Sequence, residues 1–142
     1  MDRGAFVPLH DLPDIIPPFQ LTRGGAFVVL LFEHYAVKVP RKAKTNVQEI
    51  CNIQNEIAVN CDNVLPCVFV NGCLVTPRVY GVACDKTESK EQAQYYKKLR
   101  EEVIQKIRDL GYDPVDAQGA NFIYNEKEEK IYFVDLHLVR RV

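Results

Sequence analysis

Neither sign of charge predominates in this sequence: 18 Lys and Arg stand against 19 Asp and Glu, for a formal net charge of -1. Non-specific nucleic-acid binding draws its free energy from neutralised phosphates, so a protein acting by bulk positive charge is disfavoured and nucleic acid is not an expected partner. Long apolar runs are lacking as well. The longest, Ala26–Phe32, stops at Glu33. A membrane span needs roughly 20 such residues, so this run reads as a strand and no membrane partner is expected. The start, Met1-Asp2-Arg3-Gly4, lacks the basic region, apolar core and small-residue cleavage site of a secretory signal, which makes a cytoplasm the expected location. Histidine is scarce, with only His10, His34 and His137, and no CxxC pair exists among Cys51, Cys61, Cys67, Cys73 and Cys84. No zinc pattern results. The cysteines are expected to be free packing thiols in a reducing compartment. Metal chemistry is left to carboxylates and Asn, a donor set that suits Mg2+.

What is present is enough for one globular domain: 142 residues, 47% of them hydrophobic and 26% charged. Pro8, Pro13, Pro17 and Pro18 crowd the first residues, and each removes a donor and fixes φ, so residues 1–18 read as a Pro-rich extended arm. Residues 19–22, 26–32 and 35–39 carry the signature of a three-strand meander ended by Pro40. After the basic turn Arg41–Lys44, Thr45 is placed to cap a helix of about three turns that presents Val47, Ile50, Cys51, Ile53 and Ile57. Asn71-Gly72 between two short apolar runs predicts a tight hairpin, because both residues tolerate positive φ. Lys90–Leu110 is the longest periodic segment, with Tyr96, Leu99, Val103, Ile107 and Leu110 on one face and Gly111 at its end. Residues 121–124 and 131–135 flank a charged turn and read as a second hairpin.

Polar residues interrupt these apolar runs at telling places. Lys38 lies between Val37 and Val39, where burying an ammonium without an anion is costly. The helix that follows carries Glu49 and Glu56, seven residues apart and therefore on one face, and either can turn towards Lys38. Asp116 and Asn121 follow the long helix, and Asp135 closes the last hairpin. Such oxygen donors at the ends of short strands suit Mg2+ together with substrate phosphates.

This ordered set resembles the protein-kinase superfamily: a strand Lys in Ala36-Val37-Lys38, a helix Glu 18 residues on, an Asp-x4-Asn loop after a long amphipathic helix, and an Asp closing the next hairpin. The resemblance covers about residues 19–136. It implies an α+β, protein-kinase-like fold, with a β-rich small lobe of one helix over about 19–84 and a truncated large lobe of one long helix and a β-hairpin over about 85–142. ATP and Mg2+ are the implied cofactors. By the resemblance, Lys38 holds the α and β phosphates with Glu56 orienting it, Gly24 and Gly25 cover the phosphates, and a hinge at Tyr80-Gly81-Val82 meets the adenine. Asp116 takes the position of the catalytic base, with Asp113 as its competitor, and Asn121 and Asp135 bind the metal.

Departures from the family pattern are also legible. The glycine loop is reduced to Gly24-Gly25, Pro114-Val115 replaces the His-Arg pair before the base, and Asp135-Leu136-His137 replaces Asp-Phe-Gly. The sequence ends seven residues after Asp135, which implies a likeness to the minimal kinases of viruses and bacterial effectors, whose cytoplasm would be a host's. Two activities follow: phosphoryl transfer to a protein hydroxyl, or a pseudokinase module that regulates a partner protein. Apolar surface left on the long helix implies a homodimer or a bound partner.

Overall fold

The computed structural model describes residues 20–23, 26–115 and 117–142. The expected arm over 1–18, Gly24, Gly25 and Asp116 all lie outside the described residues. The chain forms two compact units, one from the residues up to Asn52 together with Pro66–Arg78, the other from Ile53–Leu65 and Val79–Val142. The chain passes between the units after Asn52, after Leu65 and after Arg78.

The first unit is a five-stranded antiparallel sheet in the order β1-β2-β3-β5-β4, built from β1 (Gln20–Arg23), β2 (Phe27–Leu31), β3 (Tyr35–Pro40), β4 (Val68–Val70) and β5 (Cys73–Pro77). The meander appears as expected, and Asn71 and Gly72, at φ 50° and 78°, make the tight turn between β4 and β5. Residues directly opposite in an antiparallel ladder share a face. Leu30, Val37 and Val75 form one such row, and they pack with Tyr35. Val29, Lys38, Leu74 and Phe69 form the row beside it and point to the other face. That second face gathers Phe27, Leu74 and Cys67 with Val47 and Cys51 of helix α1 (Val47–Asn60). β3 carries buried apolar residues on both faces, Tyr35 and Val37 on one and Ala36 on the other.

Helix α1 is capped one residue later than the expected Thr45: the Asn46 side chain accepts the Glu49 backbone N–H at 3.1 Å. Asn outranks Thr at this position because its carbonyl oxygen reaches the free N–H groups of the first turn readily. In the second unit α2 (Lys90–Asp109) starts at Ser89, whose hydroxyl accepts the Gln92 N–H at 3.1 Å, while the Gln92 side chain takes the Glu88 N–H at 2.8 Å. Tyr96, Val103 and Ile107 of its apolar stripe are buried, and Gly111 follows at φ 94°. They pack on Ile53, Ile57, Phe122, Phe133 and Leu136, and the Phe122 and Phe133 rings stack at 4.6 Å.

The second hairpin is β8 (Phe122–Asn125) and β9 (Lys130–Phe133), extended by β6 (Val82–Ala83) in the order β6-β8-β9. Its turn closes through Asn125, whose side-chain oxygen accepts the Glu128 N–H at 2.8 Å. A further ladder, β7 (Tyr112–Asp113) with β10 (Arg140–Arg141), returns the last residues to the end of α2. Sequence reading did not anticipate it, since two-residue strands carry no periodicity. Among the described residues, no helix is long and apolar enough to cross a membrane.

Candidate functional site

Lys38 stands in the centre of the first unit's sheet and is only 8% exposed. Its placement follows from register: opposite Val29 and Leu74, it projects to the face that the start of α1 covers. The aliphatic stem adds to that apolar layer. The ammonium in turn lowers the pKa of the nearby Cys67 thiol, opposing the upward push of burial and of Cys51. Glu49, half-buried in the first turn of α1, belongs to the same unit.

Glu56 is held differently from the expectation of a Lys38 ion pair. Arg141 donates to both of its carboxylate oxygens, from Nε at 3.2 Å and from Nη2, and the Tyr112 hydroxyl donates to Oε1. The Arg141 hydrogen bond, then that of Tyr112, holds the Glu56 carboxyl below its ordinary range. The physical reason is local: Glu56 is exposed on the half of α1 that belongs to the second unit, where the β7-β10 ladder presents Tyr112 and Arg141. Heptad spacing put Glu49 and Glu56 on one side of a helix, but it could not say what each would meet.

Asn121 and Asp135 are brought to one end of the β8-β9 ladder. Phe122 pairs with Phe133, and the Val134 N–H donates to the Asn121 carbonyl at 2.9 Å. One oxygen of Asp135, Oδ1, lies 2.7 Å from His137 Nδ1 and accepts the His137 backbone N–H at 3.4 Å. Oδ2 has no partner among the described residues. A carboxylate oriented through one oxygen and open at the other, beside an Asn at the same strand end, fits Mg2+, which takes one or two protein oxygens and fills its octahedron with waters and phosphates. The described residues contain no cluster of three or more His, Cys, Asp or Glu side chains able to hold a metal.

Asp113, the competing base, pairs with Arg140 Nη2 at 3.3 Å. At the expected hinge, Tyr80 and Val82 are 51% and 47% exposed. Asn125 donates to the Tyr80 carbonyl at 3.1 Å, and Val82 pairs with Tyr124. Gly81 is required here: at φ 152° a Cβ would lie 2.0 Å from the Tyr124 carbonyl oxygen, so no side chain fits against β8.

Asn63 was missed by sequence reading. Buried, its amide donates to the Ile131 carbonyl at 2.8 Å, its Oδ1 accepts from Lys106 Nζ at 3.1 Å, and its backbone carbonyl accepts the Phe133 N–H at 2.9 Å. It thereby clamps β9, the strand that leads to Asp135. An Asn in a polar Asn60-Cys61-Asp62-Asn63 turn carries no sequence signal for that role.

A five-stranded antiparallel sheet and one helix, followed by a long helix and a β-hairpin, make an α+β protein of kinase-like fold. Solved structures share it. The complex of Rv3197 with erythromycin, from Mycobacterium tuberculosis, superposes with a TM-score of 0.61 at 13% identity, over 87% of this chain and 46% of that one. WbdD, crystallised with the kinase inhibitor LY294002, gives a TM-score of 0.53 at 13% identity, over 88% of this chain and 33% of that one. The chain therefore spans less than half the length of either. No protein-family model matches the sequence, and no curated protein matches it.

Proposed function

We propose that the chain is an ATP- and Mg2+-dependent phosphotransferase of minimal kinase type that acts on a protein hydroxyl. The observation that carries this reading is Lys38, an ammonium kept 8% exposed in mid-sheet of a kinase-like fold, on the strand to which the resemblance assigns the phosphate-binding Lys. In this reading Lys38 engages the nucleotide phosphates under Gly24 and Gly25, with Tyr80 and Val82 as adenine contacts. Asn121 and Asp135 hold Mg2+, which supplies charge neutralisation on the transferring phosphoryl group. Asp116 accepts the proton of the attacking hydroxyl. Glu49 joins Glu56 as a candidate to orient Lys38, because Glu49 lies in the unit that contains Lys38.

A pseudokinase module that regulates a partner protein is the second reading, favoured by the engagement of Glu56 with Arg141 and Tyr112. Two measurements separate the readings. Thermal shift with ATP and Mg2+ detects ligand binding through its mass-action effect on the native state, and labelled ATP in a lysate detects transfer to protein. Under the enzyme reading Asp116→Asn lowers transfer by roughly 100-fold to 10,000-fold with nucleotide affinity nearly unchanged. Lys38→Ala and Asp135→Asn weaken the thermal shift as well. No transfer to any protein, with a partner retained by all three variants, would leave the regulatory reading standing.

A further inference from the structure

Cys51 and Cys67 are 3% and 5% exposed, and their sulfurs lie 3.3 Å apart with no bond between them. Each thiol also sits 3.7 Å from the other residue's carbonyl oxygen, so the two side chains face one another reciprocally. Cys51 belongs to α1, and Cys67 stands immediately before β4. Closing the sulfurs to a bond length of about 2.05 Å asks for a shift of little more than an ångström, shared between two side chains.

We propose that Cys51 and Cys67 form a reversible intramolecular disulfide, a redox modification site that ties α1 to the sheet carrying Lys38. The oxidant is a small-molecule disulfide such as oxidised glutathione. One cysteine thiolate attacks its S–S bond, giving a mixed disulfide and one glutathione thiolate. The second cysteine, after losing its proton, attacks the protein sulfur of that mixed disulfide and expels the second glutathione. Two cysteine thiols are oxidised, one glutathione disulfide is reduced to two glutathione thiols, and the two protons pass to the leaving thiolates. Burial pushes the Cys67 thiol up, the neighbouring Cys51 adds to that shift, and Lys38 opposes it, so exchange in the folded chain runs slowly through local opening.

The test therefore starts from the reduced, unfolded full chain, where access is not limiting. It is refolded in glutathione buffers of increasing oxidised fraction, quenched in acid, alkylated under denaturing conditions and mapped by mass spectrometry. Expected is a species with three of the five cysteines alkylated and a Cys51–Cys67 linked peptide. Dithiothreitol should reverse it, and its melting temperature should exceed that of the reduced form by about 5–10 °C. Chain statistics alone favour the closer pairs Cys61–Cys67 and Cys67–Cys73. Bridges distributed among those pairs, or five alkylated cysteines at every redox ratio, would overturn the assignment. In Cys67→Ser the bridge should vanish; Cys51 bridging to another cysteine at the same redox ratio would also overturn it.

Discussion

Asn63→Ala removes the side chain that ties the turn after α1 to β9 and α2. The backbone bond from Phe133 survives the substitution, so only the side-chain contacts are lost. Lys106 is exposed and regains water as its partner. The Ile131 carbonyl sits in a residue only 2% exposed and has no such recourse. A buried acceptor left without a donor costs about 1–3 kcal/mol, and the lost packing of the amide adds to it, giving about 2–3 kcal/mol in all. With a urea m-value near 2 kcal/mol/M this moves the midpoint down by about 1–1.5 M, and the melting temperature by about 8–12 °C. The sequence has no Trp, so far-UV circular dichroism or Tyr fluorescence must report the transition. Asn63→Asp keeps an acceptor for Lys106 but sets a carboxylate oxygen against the Ile131 carbonyl, and should be at least as damaging as Ala. A midpoint shift under about 0.25 M at unchanged m would refute the assignment of Asn63 as the clamp of β9.

Gly81→Ala should destabilise by about 2–4 kcal/mol, since its Cβ meets the Tyr124 backbone oxygen rather than a movable side chain; a thermal melt within 2 °C of the parent, on the order of 0.5 kcal/mol, would contradict that close approach. Glu56 should titrate below the ordinary Glu range by NMR, because Arg141 and Tyr112 bond its charged form. A depressed carboxylate contributes stability that is present above its unfolded pKa and lost as pH falls through the folded one. Arg141→Ala should therefore narrow the stability gap between neutral and acidic pH, and an unchanged Glu56 titration in that variant would count against the ion pair. If Glu49 orients Lys38, Glu49→Gln should weaken the ATP-induced thermal shift more than Glu56→Gln does; the reverse order would return that role to Glu56.

Local pattern by itself determined the elements whose information lies among chain neighbours. Asn71-Gly72 sets a turn through its own φ preferences, and the apolar stripe from Tyr96 to Leu110 with Gly111 after it specifies a helix and its end. The α+β order followed from these, and the kinase-like reading from the resemblance carried by Lys38, Glu56, Asp116, Asn121 and Asp135. Lys38 was legible as an anomaly because a period of two places a charge among Val residues. Partners across the fold were a different matter. That Glu56 would meet Tyr112 and Arg141, that Asn63 would clamp β9, and that Cys51 would face Cys67 depend on residues far apart in sequence. The β7-β10 ladder that presents Arg141 consists of two-residue strands with no period to read. Spacing along one element states which side chains share a face. What stands opposite that face is decided only when the chain packs, because the free energy of each such contact exists only once both elements are in place.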